Sequence, residues 1–219
     1  MSECRRKGFF ITLEGVEGCG KSTQADLLVA WLAERGYEVV LTREPGGTPL
    51  GERLRDALLD VGGRMLPETE LFLYLASRAE HTAAVILPSI ERGSVVISDR
   101  YADASVAYQG AGRRLGADLV RSLNQVATRS VKPDVTFLLD LDPKEGLARL
   151  DGRTSGETRD RIELEELEFH QRVRGGYLAE AELDPNRFVV LDARESVEAI
   201  ARRLTRALEE RLRVHGYGN

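Results

Sequence analysis

"FFITLEGVEGCGKSTQADLLVAWLAERG", residues 9–36, decides the architecture. It begins as a short apolar run rich in strand formers and stops at Gly15. After the polar stretch "GVEGCGKST" it resumes with helical spacing, Leu27, Leu28, Trp31 and Leu32 sharing one side and Gly36 acting as a stop. Between strand and helix, Gly15, Gly20, Lys21 and Ser22 satisfy G-x-x-x-x-G-K-[ST] in the context that gives the pattern its meaning. Glycines let backbone N–H groups turn inward around phosphate oxygens, and the helix N-terminus adds its dipole. The loop Gly15, Val16, Glu17, Gly18, Cys19, Gly20, Lys21, Ser22 and Thr23 is therefore expected to wrap a nucleoside triphosphate. Lys21 would reach the β- and γ-phosphates, and the Ser22 hydroxyl would be a magnesium ligand.

Outward from this unit the chain keeps alternating. "EVVLTR" (38–43), "SVVISD" (94–99), "DVTFLLDL" (134–141) and "RFVVLDA" (187–193) read as further strands. Helical patterns lie between and after them. "TPLGERLRDALLD" (48–60) carries Leu50, Leu54, Ala57 and Leu58 on a stripe. "PETELFLYLASRAEHTAAVILPSIERG" (67–93) is long and mostly apolar, with Pro88 as a bend, and "SVEAIARRLTRALEERL" (196–212) closes the chain. Strands apolar at nearly every position need cover on both faces, so the expectation is an α/β sandwich around a five-stranded parallel sheet. With no repeat and no linker, residues 1–219 read as a single domain. In such a sheet, ligands bind beyond the carboxyl ends of the strands. There the chain places "EGVEGCGKST", "TREPGG" and "SDRY".

Composition narrows the function class. The 219 residues are 42% apolar and 31% charged, an ordinary globular mixture. A net charge of −5 gives no basic footprint for nucleic acid. No apolar run reaches transmembrane length, and "MSECRRKG" is not followed by a signal-peptide h-region. Cys4 and Cys19 form no metal-binding or redox pair, which suits a reducing cytoplasm. The three histidines, His81, His170 and His215, form no legible constellation and read as packed or solvated.

A GTPase switch would need N-K-x-D, and none of Asn124, Asn186 and Asn219 begins one. The third strand runs into "DRYA", without a switch glycine. Arginines instead gather at strand ends, on nearby helices and in a polar loop: Arg43, Arg55, Arg78, Arg100, Arg153, Arg159 and Arg161. That distribution fits clamping a second anionic substrate and points to a phosphotransferase.

"EGVEGCGKST", "TREPGGTPLGERLR", "DRYADASVAYQGAGR", "PDVTFLLDL" and "DRIE", in this order, resemble the bacterial thymidylate kinase family over nearly the whole chain. The resemblance implies the P-loop kinase fold, ATP and Mg²⁺, thymidine monophosphate (dTMP) as acceptor, and a homodimer built through helices. It also implies roles. Arg100 would hold the acceptor phosphate near the γ-phosphate, a guanidinium fork suiting phosphate geometry. Asp99 would orient magnesium or its waters, and Arg55 would help hold the acceptor phosphate. Pro45 in "EPGG" would be a stiff surface for base and sugar. Tyr74 would stack on thymine, and Arg78, four residues on and on the same helix face, would reach a ring carbonyl. Phe72 points about 200° away from Tyr74 and reads as core. Ser105 and Gln109 would approach the other polar edge of thymine. Tyr101 would pack where a ribose 2′-hydroxyl would sit, and Glu17 would accept from the sugar 3′-hydroxyl. A lid at about 149–161 includes "RTSGETRDR", with Arg153 as its transition-state arginine and Arg159 or Arg161 as second candidate. Gly18 stands where some relatives carry a basic residue.

A phosphate monoester is already an anionic nucleophile, so this reading needs alignment and charge neutralisation but no strong base. A deoxynucleoside kinase would need a carboxylate base for a neutral hydroxyl, and Glu14 could be cast in that role. Another nucleoside monophosphate kinase is the nearer alternative, although the D-G-[FY]-P-R pattern is absent.

Overall fold

The computed structural model describes residues 8–152 and 159–215. Five strands, β1 (Phe9–Glu14), β2 (Val39–Arg43), β3 (Val95–Asp99), β4 (Val135–Asp140) and β5 (Phe188–Asp192), form one sheet in the order β2-β3-β1-β4-β5. Every neighbouring pair is parallel. The chain leaves β1 towards β2 and β3 on one side and reaches β4 and β5 on the other. The carboxyl end of β1, which feeds the glycine-rich loop, thus lies at the topological switch point.

Side chains alternate across the central strand. Phe9, Ile11 and Leu13 join the large core with Leu28 and Leu32 of α1 (Lys21–Ala33) and Leu204 and Leu208 of α9 (Val197–Val214). Phe10 enters a second cluster with Ile86, Val96 and Tyr101. This is the period-two consequence of the pleat. Helices α1 and α9 pack on each other, and Gln24 ties them by donating to the Val197 carbonyl at 3.0 Å.

Between β2 and β3 run α2 (Pro49–Leu59), α3 (Pro67–His81) and α4 (Leu87–Arg92), with a π-helical segment, Thr82–Ile86, between the last two. Pro88 has no N–H for the carbonyl four residues earlier, and the widened turn sits directly before it, so the expected bend appears as a π insertion. After β3 come α5 (Ala102–Ser105), a second π-helical segment, Val106–Gly112, and α6 (Ala117–Ala127). Then α7 (Pro143–Asp151) follows β4, and α8 (Leu167–Leu183) precedes β5.

Two expectations about the core change. Phe72 is 60% exposed on α3 rather than core. Leu71 and Leu75 already supply that helix's inward stripe, so a residue rotated away from Tyr74 faces outward. On α1, Leu28 and Leu32 are buried, but Leu27 lies outside the stripe they form and is largely exposed. Among the described residues no helix is long and apolar enough to cross a membrane.

Candidate active site

A cavity of about 500 Å³ opens beyond the carboxyl ends of the strands. Its lining draws on the glycine-rich loop (Glu17, Gly18, Gly20, Lys21, Ser22, Thr23), the β2 end (Arg43, Glu44, Pro45), α2 (Arg55, Leu59) and α3 (Tyr74, Arg78). The β3 end adds Asp99 and Arg100, the next helical stretch Ala104, Ser105, Tyr108 and Gln109, and the region of α7 and beyond Arg149, Leu150, Asp160, Ile162 and Glu163. Volume and polarity suit a small-molecule site.

The loop is shaped by close approach. Gly18 has φ +70°, and a Cβ there would lie 2.2 Å from the Gly146 carbonyl oxygen of α7. Only glycine at both positions lets the loop backbone lie against that helix. Gly20, at φ 94°, caps α1. Val16 and Cys19 turn their side chains into the core, leaving the loop's polar side to face the cavity. Lys21 Nζ is held over the loop by the carbonyls of Gly15 (3.2 Å) and Val16 (3.0 Å). Ser22 Oγ donates to Asp99 Oδ2 at 3.2 Å, so a hydroxyl and a carboxylate oxygen converge at this end. Among the described residues no three His, Cys, Asp or Glu side chains form a metal cluster. Mg²⁺ fits such a donor set, because it takes one or two protein oxygens and fills the rest with water and phosphate.

Arg100 is the hinge of the site. Its backbone adopts φ 72°, the left-handed region that arginine avoids unless the surroundings enforce it. The backbone N–H donates to the Leu13 carbonyl, and Ser98 Oγ donates to the Arg100 carbonyl at 2.7 Å. The guanidinium donates to the Gly15 carbonyl, the Tyr177 hydroxyl and Glu17 Oε1. It lies 4.9 Å from the Tyr108 ring centroid. Burial opposes its charge, but Tyr108, Tyr177 and Glu17 outweigh that and raise its pKa. For Glu17 the largest influence, burial, pushes the pKa up, yet His170, Arg100, Lys21 and Tyr108 together bring it down to about 2. Arg55 donates to the Pro45 carbonyl at 3.0 Å, and burial followed by the Arg43 charge lowers its pKa. Several cations thus crowd one end of the cavity, an arrangement that favours an anion.

Arg78 is buried, and four of its five N–H bonds are committed. Nε donates to Glu44 at 2.7 Å, Nη1 to Ser105 and to Asn124 at 2.8 Å each, and Nη2 to the Tyr101 carbonyl at 2.8 Å. One donor is left for a ligand. Gln109 gives its amide N–H to Glu70 at 2.8 Å.

Of the residues expected from sequence, Glu17, Pro45, Arg55, Tyr74, Arg78, Asp99, Arg100, Ser105 and Gln109 come together on this cavity. Tyr101 does not. Its ring is fully buried against Phe10 (5.0 Å, edge-to-face), and its hydroxyl bonds Thr82, so it cannot face a sugar. Tyr108, with Tyr74, lines the cavity wall instead. Arg161 is no free lid cation either. Nη1 reaches Glu70 at 2.7 Å and Nε donates to the Leu58 carbonyl, tying the C-terminal end of the expected lid to α2 and α3. Arg159 pairs with Asp151, and Arg153 lies outside the described residues. Glu14 is wholly buried, and both its oxygens are occupied, by the Tyr101 N–H (2.7 Å) and the Tyr177 hydroxyl (2.8 Å). It does not line the cavity, so it cannot act as base on an acceptor hydroxyl.

Sequence reasoning passed over Tyr108, Arg149, Glu44, Glu70 and His170. Arg149 donates to the Gly18 and Ala193 carbonyls, beside the glycine-rich loop. For Tyr108 the signal was present, since it lies inside "AYQG" beside Gln109. Glu44, Glu70 and His170 meet their partners only through the fold.

A triphosphate-binding loop at one end of a cavity and an arginine-lined pocket at the other define a P-loop kinase that acts on an anionic acceptor. A family model described as thymidylate kinase matches residues 13–204, and the chain belongs to the thymidylate kinase family. It is thereby one of the ATP-dependent nucleoside monophosphate kinases. A thymidylate kinase of Leifsonia xyli subsp. xyli is 52% identical over 208 residues, spanning 94% of this chain and 97% of its own. One from Clavibacter sepedonicus is 51% identical over 195 residues, 89% of this chain and 91% of its own. The crystal structure of thymidylate kinase from Ehrlichia chaffeensis matches with a TM-score of 0.75 and 34% identity, covering 92% of this chain and 98% of that one.

Proposed function

We propose that the cavity transfers the γ-phosphoryl group of ATP to dTMP, giving ADP and thymidine diphosphate. The observation that carries this reading is the continuity of one cavity from Lys21 and Ser22 to Arg55, Arg78 and Arg100, while Glu14, the candidate for a base on a neutral hydroxyl, lies outside that cavity with both oxygens occupied and cannot serve as a base. An acceptor that is already a phosphate needs none.

Lys21 neutralises the β- and γ-phosphates. Ser22 and Asp99 would hold Mg²⁺, directly or through water, and the ion would offset phosphate charge when bound. Arg100 and Arg55 hold the acceptor phosphate in line with the donor. Tyr74 and Pro45 flank the base and sugar, and Tyr108 takes the wall position first expected of Tyr101. Arg78 offers its remaining N–H to a thymine carbonyl, with Ser105 and Gln109 on the other polar edge. Glu17 accepts the sugar 3′-hydroxyl.

Arg153 remains the lid arginine of this reading, and Arg149 joins it as a cation beside the loop. A second copy of the chain covers exposed Phe72 on α3 and Leu119 and Val126 on α6, two helices that pack together. A buried free Cys19 suits a reducing cytoplasm.

The test is ADP release with a panel of acceptors. Turnover with dTMP well above that with cytidine, guanosine and adenosine monophosphates and with thymidine itself is expected. Preference for thymidine over dTMP would replace this reading with a nucleoside kinase.

A further inference from the structure

The two oxygens of Glu17 have unlike surroundings. Oε1 accepts from the Tyr108 hydroxyl and from Arg100 Nη2. Oε2 is buried, has no aligned hydrogen bond among the described residues, and faces His170 Nδ1 at 3.3 Å. His170 lies on α8, 1% exposed, with its ring edge-to-face against Phe169 at 5.3 Å. Its other ring nitrogen, Nε2, is buried and has no hydrogen-bond partner among the described residues.

An unmet buried ring nitrogen is unfavourable. A phenylalanine would fill the same apolar surroundings without it, so packing alone gives no reason for histidine. The other groups around Glu17 each have a second duty. Lys21 rests on loop carbonyls at the triphosphate end, and Arg100 is shared with Gly15, Tyr177 and the acceptor pocket. Tyr108 is a neutral donor and forms cavity wall. Among the described residues, the side chain of His170 has no polar partner other than Glu17.

We propose that His170 is a positioning residue for Glu17: it holds Oε2 from behind, so that the carboxylate keeps its orientation towards the acceptor's sugar hydroxyl when Arg100 turns to the acceptor phosphate. The inference rests on the reading that Glu17 receives that hydroxyl. His170 touches no substrate, and its effect passes entirely through the carboxylate. An acceptor without the sugar 3′-hydroxyl should be indifferent to it.

The experiment compares dTMP with 3′-deoxythymidine monophosphate as acceptors for the full chain, using wild type, His170→Phe, His170→Gln, Glu17→Gln and the His170→Phe/Glu17→Gln double variant. His170→Phe should raise KM for dTMP about tenfold with little change in kcat, the scale of one hydrogen bond to a charged group. It should leave the 3′-deoxy acceptor near wild type, which also reports an intact site. His170→Gln, which keeps a donor, should recover part of the loss. The double variant should discriminate between the two acceptors no worse than Glu17→Gln alone. Equal effects of His170→Phe on both acceptors, or none on either, would overturn the proposal while a selective Glu17→Gln left the Glu17 reading standing. Equal effects of Glu17→Gln on both acceptors would remove that reading and the proposal with it. Should His170→Phe not fold, the same acceptor ratio measured on His170→Gln decides.

Discussion

Replacing Arg78 with methionine keeps most of the side-chain volume and removes five N–H donors from a buried position. Glu44, 4% exposed, is left with His81 Nδ1 at 2.9 Å as its remaining side-chain partner among the described residues. The Ser105 hydroxyl, the Asn124 carbonyl oxygen and the Tyr101 carbonyl each lose a donor at 2.8 Å. Removing one member of a buried ion pair costs about 3–5 kcal/mol. The three orphaned acceptors overlap with that figure and place the expectation towards its upper end. For a domain of this length each kcal/mol moves Tm by about 2–4 °C, so Arg78→Met should lower Tm by about 6–20 °C. Thermal unfolding followed by circular dichroism reads this directly. Arg78→Met/Glu44→Gln should recover part of the loss, because the uncompensated charge goes with it. A single variant within about 2 °C of wild type would refute the reasoning, since a buried pair cannot be broken so gently. Kinetics, taken at a temperature where the variant is folded, should show a larger loss with dTMP than with cytidine monophosphate. Cytosine carries an amino group where thymine offers a carbonyl, and two facing donors satisfy neither.

Two further outcomes follow from the glycine-rich loop and its surroundings. Gly18→Ala puts a Cβ 2.2 Å from the Gly146 carbonyl oxygen at φ +70°, so the loop must leave α7; ATP titration should show a raised KM for ATP, and unchanged ATP kinetics with unchanged Tm would contradict the close packing. Burial, reinforced by Asp103 and opposed by Arg100 and Tyr177, pushes the Glu14 pKa up to about 7 from an ordinary 4.5. The folded state then binds the proton that the unfolded state has released, so this group's stabilising contribution is full below about pH 4.5 and declines as pH rises towards about 7. Glu17, lowered to about 2, acts in the opposite sense and below that window. Tm measured from pH 5 to 7 should therefore fall less steeply in Glu14→Gln than in wild type, and parallel slopes would count against a perturbed Glu14.

How far the sequence could be read depended on how local each signal was. The P-loop carries its own context within a few residues, and each strand announces itself by continuous apolarity, so sheet and loop were legible. Tyr74 and Arg78 were legible because a helix places residues four apart on one face. Tyr101 was not, because the direction of its ring depends on the left-handed backbone at Arg100, which no pattern in "DRYA" declares. Phe72 was correctly separated from Tyr74, but helical phase cannot tell core from solvent on the far side. Arg161 sits in a polar stretch that reads as free, and it is bound by Glu70, a residue far away in the chain. His170 pairs with Glu17 across a still greater separation, and an isolated histidine on a helix carries no mark of such a partner.

The Gly18–Gly146 contact also explains where positive charge can enter the site. The loop carbonyls of Glu17 and Gly18 lie against α7, and a side chain on residue 18 would strike the Gly146 backbone before it could reach a phosphate. A cation for the transferring group has to come from outside the loop. Lys21, at the start of α1, is held by the loop's own carbonyls, and Arg100, at the end of β3, by a loop carbonyl and by Glu17. Arg149, at the last turn of α7, reaches the Gly18 carbonyl from the other side of the same contact. The glycine pair that excludes a basic residue from the loop therefore brings the C-terminal turn of α7 close to it.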